Sequence, residues 1–174
     1  MNIMFKTVLA LSLLGAMFSC TKPWDNKYVK NLPPESIKEY EHSYSGTMMW
    51  YITWYKIEKG EDGHLKLMYS HDCNPEITIY KCPDDALKKI DGIVREYKLW
   101  NLSNSYTPKF EVLDGYMWHT SIRYEDGSIS TGGSNAWPPK QLAAGLSAIE
   151  AYVQSIIDAS TEDDIIGTDT HDNR

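Results

Sequence analysis

Several side chains that could bind a ligand lie close together between positions 112 and 139. Arg123 and His119 can supply a positive charge or hydrogen bonds, and Trp137 offers an aromatic face for stacking. Gly132 and Gly133 would let backbone amides approach a ligand closely. We therefore predict a shallow binding site here, with these candidate residues: His119, Arg123, Ser134, Asn135 and Trp137.

A β-hairpin must position these residues, because Asp126-Gly127 is a strong turn signal between two strand-like segments. With these two residues at the centre of the turn, Tyr124 would face Ile129, and Ile122 would face Thr131 on the side of Trp118. A solvated outer face is the alternative explanation for the polar residues on the other side. That side would hold His119, Ser121 and Arg123, with Ser130 beside Arg123 and Ser134 beside His119.

A hydrolase that uses His119 and Ser134 is a further hypothesis for the same stretch. The run GGSNA lacks the Gly-x-Ser-x-Gly elbow of serine hydrolases, and the sequence places no Asp to orient the imidazole. No motif for a cofactor stands out in the chain. The sequence therefore favours a non-enzymatic protein with no cofactor and no metal, and it leaves enzymatic activity open.

Cys73 and Cys82 would be the remaining thiols if Cys20 is modified, and in an oxidising compartment they could form a disulfide. The chain would then have to fold back near Asn74-Pro75, because a disulfide needs Cα atoms within about 7 Å. Free thiols remain an alternative. Zinc held by His71, Cys73, Cys82 and His64 is another, although this spacing matches no common zinc pattern.

The first residues have the pattern of a secretory signal, with Lys6, an apolar run and a small residue before Cys20. Because a cysteine stands at the cleavage point, the segment resembles a bacterial (Gram-negative) lipoprotein signal. In such a signal Cys20 would be acylated and become the new N-terminus. Met17 and Phe18 depart from the usual residues of that signal, and an ordinary secretory signal is the alternative. Thr21 after the cysteine resembles lipoproteins of the outer membrane, so we expect a lipid anchor there.

The remaining sequence predicts one domain between a tether and a tail. We predict a removed signal at residues 1–19, a flexible tether at 20–46, a globular domain at 47–158 and an acidic disordered tail at 159–174. Strand-like segments and two apolar stripes at helical spacing predict an α+β fold. We expect an antiparallel sheet of about five strands with two amphipathic helices packed on one face.

Four short runs in the last hundred residues keep a recognisable order. These are REYKLWN, VLDG, YEDGSI and GGSNAWP. In that order they resemble an uncharacterised family of small bacterial domains of unknown function. The resemblance implies the limits of a domain and no activity.

The formal net charge of -7 argues against a nucleic-acid partner, because nucleic-acid binding needs a basic surface. We expect contact with the membrane through the lipid on Cys20, and an envelope protein, peptide or glycan as partner. The first hypothesis is therefore a non-enzymatic binding module in the periplasm or at the surface. A structural or accessory lipoprotein comes second, and a hydrolase third.

Overall fold

The computed structural model describes residues 36–46, 51–72, 74–110, 112 and 115–171, and in these ranges the chain has an α+β fold. A single sheet carries two helices, α1 (Ala86–Tyr97) and α2 (Lys140–Ala159). Two short 3-10 helices lie at Leu99–Asn101 and Glu162–Asp164. The strands are β1 (Glu39–Gly46), β2 (Tyr51–Lys59), β3 (Leu65–His71), β4 (Glu76–Lys81), β5 (Ser105–Tyr106), β6 (Tyr116–Arg123), β7 (Ser128–Ser134) and β8 (Ile165–Thr170).

The sheet is larger than the sequence predicts, and it is mixed. Its eight strands follow the order β5-β7-β6-β1-β2-β3-β4-β8. The short strand β5 runs parallel to β7, whereas the other neighbours are antiparallel. The prediction of about five antiparallel strands was therefore wrong in number and in direction, because it omitted β1, β5 and β8.

Strand β1 lies where the sequence predicts a flexible tether. It forms antiparallel pairs with β6 on one side and β2 on the other, which makes it a central strand. Its side chains alternate, with Tyr40 and His42 buried on one face and the carboxylates of Glu39 and Glu41 on the other. Such alternation stabilises a strand between two neighbours. The ordered domain therefore begins before residue 47.

Strand β8 forms within the predicted disordered tail. Thr161 and Asp164 form a capping box after α2, with the Thr161 amide donating to Asp164 Oδ2 at 2.9 Å. The chain then pairs with β4 at the edge of the sheet, and Lys81 Nζ donates to the Asp163 carbonyl at 2.9 Å. Pairing with an existing edge supplies the backbone hydrogen bonds that the acidic segment could not make alone.

Both helices pack on one face of the sheet, which we call the helix face. The predicted apolar stripes are confirmed, because Ile90 and Val94 of α1 and Leu146 and Ile149 of α2 are buried in the main core. The sheet contributes the following residues to that core: Tyr40, Tyr55, Ile57, Leu67, Trp118, Ile122 and Ile129. Trp54, Met68 and Ile77 form a smaller cluster on the other side, which we call the opposite face.

The hairpin of β6 and β7 has a different register from the predicted one. Ile122 pairs with Ile129, and the Tyr124 amide donates to the Gly127 carbonyl at 2.8 Å. Glu125 and Asp126 are therefore the central turn residues. The shift moves pairing by two residues, so the predicted faces are kept while the predicted neighbours change.

The predicted bridge between Cys73 and Cys82 is not formed, since Cys82 has a free, buried thiol. Strand β4 explains this, because its six extended residues span about 20 Å between Asn74 and Cys82. Cys73 itself lies outside the described residues. The zinc alternative fails on the same geometry, because His64 precedes β3 and His71 is its last residue, so the two side chains lie at opposite ends of the strand.

Residues 1–35, with the predicted signal and Cys20, lie outside the described ranges. Among the helices of the described ranges, none combines the length and the apolar character needed to cross a bilayer.

A glycine in α2 provides a direct test of how the two helices pack. A Cβ at Gly145 would lie 2.6 Å from Tyr97 Cβ and 2.8 Å from Leu99 Cδ2. We expect Gly145→Ala to lower the free energy of unfolding by about 1–2 kcal/mol, because overpacking outweighs the gain in helix propensity. Gly92→Ala is the matched control, since nothing lies within 4 Å of its added Cβ.

The control should raise the free energy of unfolding by about 0.5–1 kcal/mol. Urea denaturation of both variants measures the difference. Equal stability of the two variants would show that the helices do not depend on the close approach at Gly145.

Candidate functional site

The predicted site residues do not lie together. His119 and Ser134 line a shallow cavity of about 350 Å³ on the opposite face, together with Gly132 and Gly133. His119 pairs with Gly132, and its Nε2 lies 3.0 Å from Ser130 Oγ. Ser134 pairs with Met117, so it is not the neighbour of His119 that the sequence predicts.

Arg123 lies at the far end of β6, in a row of charges on the opposite face. Its guanidinium forms an ion pair with Glu39, which Lys56 Nζ also contacts at 3.1 Å. Lys56 Nζ lies 2.7 Å from Glu58 Oε2, and Lys66 Nζ lies 3.1 Å from Glu58 Oε1. Arg123 therefore ties neighbouring strands together and is not part of the His119 cavity.

Asn135 has a structural role in the turn after β7. It adopts a left-handed conformation with φ of 52°, and its Oδ1 accepts a hydrogen bond from the Tyr116 amide at 2.9 Å. A Cβ on Gly115 would collide with this side chain. Asparagine therefore fits here because it tolerates this backbone conformation and satisfies a strand amide.

Trp137 lies on the helix face, whereas His119 and Arg123 lie on the opposite face. Its ring is stacked on Trp118, with centroids 5.0 Å apart and an interplanar angle of 6°. The chain of rings continues from Trp137 to Tyr116 at 5.9 Å and from Tyr116 to Tyr44 at 5.7 Å. Trp137 nevertheless remains 44% exposed. It thus presents a rigid aromatic surface to solvent.

A groove of about 600 Å³ begins at Trp137 and runs between α2 and strands β1 and β2. Two helices, each about 10 Å wide, cannot cover a sheet of eight strands spaced about 4.8 Å apart, so part of the helix face stays open. We call it the α2 groove. Its lining residues are His42, Tyr44, Thr53, Tyr55, Trp137, Ser147, Glu150, Ala151, Val153, Gln154 and Ile157.

His42 is the most constrained polar residue of the α2 groove. Its Nδ1 forms a hydrogen bond of 2.8 Å with Thr120 Oγ1, and its Nε2 lies 3.3 Å from Glu150 Oε1. The Tyr55 ring stacks on the imidazole at 5.2 Å. These contacts fix the orientation of the ring and bring a hydroxyl, an imidazole and a carboxylate into one row.

Burial controls the charges in this row. It lowers the pKa of His42 to about 4, and the nearby His119 contributes to the shift. Burial also raises the pKa of the Glu150 carboxyl. His42 is therefore neutral near pH 7 and does not neutralise a charge on Glu150.

The hydroxyls that contact an imidazole are not accessible to a substrate, and this holds also for Ser70, which contacts His171 and is 3% exposed. Thr120, which contacts His42, is fully buried, and Ser130, which contacts His119, is 4% exposed. A nucleophilic hydroxyl has to reach the reacting carbon of its substrate. The pairs of Thr120 with His42 and of Ser130 with His119 therefore stabilise the sheet. They provide no accessible nucleophile.

No metal site is apparent in the part of the chain that the structure describes, where no group of three or more His, Cys, Asp or Glu side chains could hold an ion. The sequence reasoning missed His42, Tyr44 and Glu150 as groove residues. The alternation of aromatic and polar residues in EYEHSYS could have revealed β1, and hence His42 and Tyr44. Glu150 gave no comparable signal, because it follows the ordinary polar pattern of a surface helix.

The buried His42 predicts a loss of stability in acid. The unfolded chain takes up a proton at this residue near pH 6.5, whereas the folded chain does so only near pH 4. The free energy of unfolding should therefore fall as the pH drops from 6.5 to 4, by about 3 kcal/mol from this group. Glu150 has the opposite sign, because the fold raises its pKa and so favours its protonated form at low pH.

Urea denaturation between pH 7.5 and 4 checks this, with His42→Gln as the variant that cannot titrate. Its stability should decrease less on acidification than that of the unsubstituted protein. His64→Gln is the control, because its side chain is 74% exposed. Parallel pH profiles for His42→Gln and the unsubstituted protein would contradict a neutral, buried His42.

In comparisons with known proteins, no family model matches this chain, and no curated protein matches it either. The resemblance of REYKLWN, VLDG, YEDGSI and GGSNAWP to an uncharacterised bacterial family therefore remains a prediction from the sequence.

Proposed function

We propose that this chain is a lipid-anchored protein of the cell envelope that binds a peptide or glycan in the α2 groove and does not act as an enzyme. Acylation of Cys20 would attach it to the outer membrane, and the chain after Cys20 would link the anchor to the folded domain. The partner would be a component of the envelope.

Support for the anchor comes from the first twenty residues. A basic start, an apolar run too short for a permanent membrane helix, and Ser19-Cys20 together resemble a lipoprotein signal. The lipid would also explain how an acidic chain stays at an anionic membrane, since its net charge of -7 gives no attraction to such a surface.

The observation that carries the binding function is the exposed, rigid ring of Trp137 at the mouth of the α2 groove. A tryptophan fixed by stacking loses little conformational freedom when a ligand packs on it, which favours binding. The groove volume of about 600 Å³ lies within the range of about 300–1,000 Å³ that is typical of ligand pockets. Polar groups of Glu150 and Gln154 would orient the ligand.

Replacing Cys20 tests the anchor. Cys20→Ser should move the protein from the membrane fraction to the soluble fraction of the envelope, because the acylated residue would be lost. Cell fractionation with intact mass measurement checks both the location and the added lipid. If Cys20→Ser stays with the membrane and its intact mass shows no loss of lipid relative to the unsubstituted protein, Cys20 carries no anchor.

Filling the α2 groove tests the binding function. Ala151 is exposed on α2 and lines the groove, so Ala151→Trp should obstruct it without disturbing the core. The acylated protein, immobilised from detergent micelles, would be exposed to purified envelope peptides and oligosaccharides. We expect Ala151→Trp and Trp137→Ala each to lower the amount of bound material at least about tenfold, as the loss of an aromatic anchor does.

Met117→Ala serves as the control, because Met117 is 49% exposed and lies on the opposite face. It should bind as the unsubstituted protein does. Equal binding by Ala151→Trp and the unsubstituted protein would eliminate the α2 groove as the binding site. An absence of any bound peptide or glycan would instead favour an accessory lipoprotein.

A further inference from the structure

Among the described residues, the α2 groove contains a negative charge without a positive counterpart. Glu150 is the only Asp or Glu among the described residues that line it, and no described Lys or Arg lines it. His42, which contacts Glu150, is neutral near pH 7 because of its burial. The carboxylate therefore has no partner of opposite charge in the described part of the groove.

Three cations on the neighbouring elements β2 and α1 form ion pairs with other carboxylates. Lys56 contacts Glu39 and Glu58, Arg95 contacts Asp91 at 2.7 Å, and Lys89 contacts Asp85 at 3.1 Å. A partly buried carboxylate without a cation is costly, and burial accordingly raises the pKa of Glu150. A cation supplied by a ligand would offset that cost.

The aromatic walls favour the same kind of ligand. Tyr44, Tyr55 and Trp137 line the groove together with Glu150. The negative face of an aromatic ring attracts a cation, and it does so more strongly when the cation is partly desolvated. The charge of Glu150 also acts on Tyr55, whose pKa is raised mainly by burial and further by the nearby Tyr40 and Glu150. The carboxylate and the ring faces would therefore both attract a positively charged ligand.

We propose that the α2 groove selects a ligand with a protonated primary amine, such as a lysine side chain of an envelope peptide, and binds the ammonium group between Glu150 and the rings of Trp137 and Tyr44. The aliphatic part of the ligand packs along the apolar wall of α2 at Ala151 and Ile157. This selectivity rests on the proposed binding function. An anionic ligand is disfavoured by Glu150, and a neutral sugar would leave the carboxylate without compensation.

A pair of small probes tests the charge of the ligand. Nα-acetyl-lysine N-methylamide carries the ammonium group, and its Nε-acetyl derivative has a similar shape without the charge. Binding of each probe to the acylated protein in micelles is followed by the shift of the Trp137 indole N–H signal in NMR titrations. We expect the charged probe to bind about tenfold more tightly, as a carboxylate and aromatic faces together allow.

Glu150→Gln should weaken the charged probe about tenfold and leave the neutral probe unchanged. Glu162→Gln is the matched control, since it removes the same charge from an exposed position outside the groove. It should leave both affinities unchanged, which separates the local effect of Glu150 from the net charge of the protein.

Equal affinities for the two probes, no effect of Glu150→Gln, or no binding of either probe would each overturn the selectivity for an amine. The binding function is judged separately. If Ala151→Trp still abolishes binding of a neutral peptide or glycan, the groove is a binding site for a different ligand class. If Ala151→Trp has no effect on any binding, the proposed function itself fails.

Discussion

Strand β1 forms hydrogen bonds with β6 on one side and β2 on the other, and it thereby joins the two halves of the sheet. Its alternating side chains determine what each face carries. Glu39 begins the row of ion pairs on the opposite face, whereas Tyr40 enters the core and His42 and Tyr44 form the floor of the α2 groove. The central position of β1 therefore fixes both the stability of the sheet and the location of the groove.

The groove follows from how the helices share the helix face. Gly145 lets α2 approach Tyr97 and Leu99 closely, so α2 packs beside α1. The side of α2 that carries Ser147, Glu150 and Gln154 is left unpartnered by another helix in the described ranges. The exposed Trp137 lines the same groove, and stacking on Trp118 and Tyr116 fixes its ring.

The spacing of apolar residues in the sequence correctly predicted the buried faces of single elements. The apolar stripes of α1 and α2 and the faces of the β6–β7 hairpin are as predicted, since Ile90, Ile149, Trp118 and Ile122 are all buried. Long-range pairing was not predictable in this way. Glu39–Gly46 and Ile165–Thr170 are polar, and they become strands because each meets a partner that lies far away in sequence. For the same reason, the grouping of His119 with Trp137 in sequence gave no indication that they lie on different faces of the sheet.

The charges of the α2 groove support the proposed binding function more than a catalytic one. A general base has to be accessible and close to its reacting group, but His42 is buried, and its partner hydroxyl on Thr120 is fully buried as well. In the row of Thr120, His42 and Glu150, the carboxylate is the solvent-accessible end, since the side chain of Glu150 is 37% exposed and that of His42 is 4% exposed. A neutral imidazole behind a carboxylate can orient it without cancelling its charge. The burial that keeps His42 neutral thus leaves the charge of Glu150 uncancelled, as the proposed amine ligand requires.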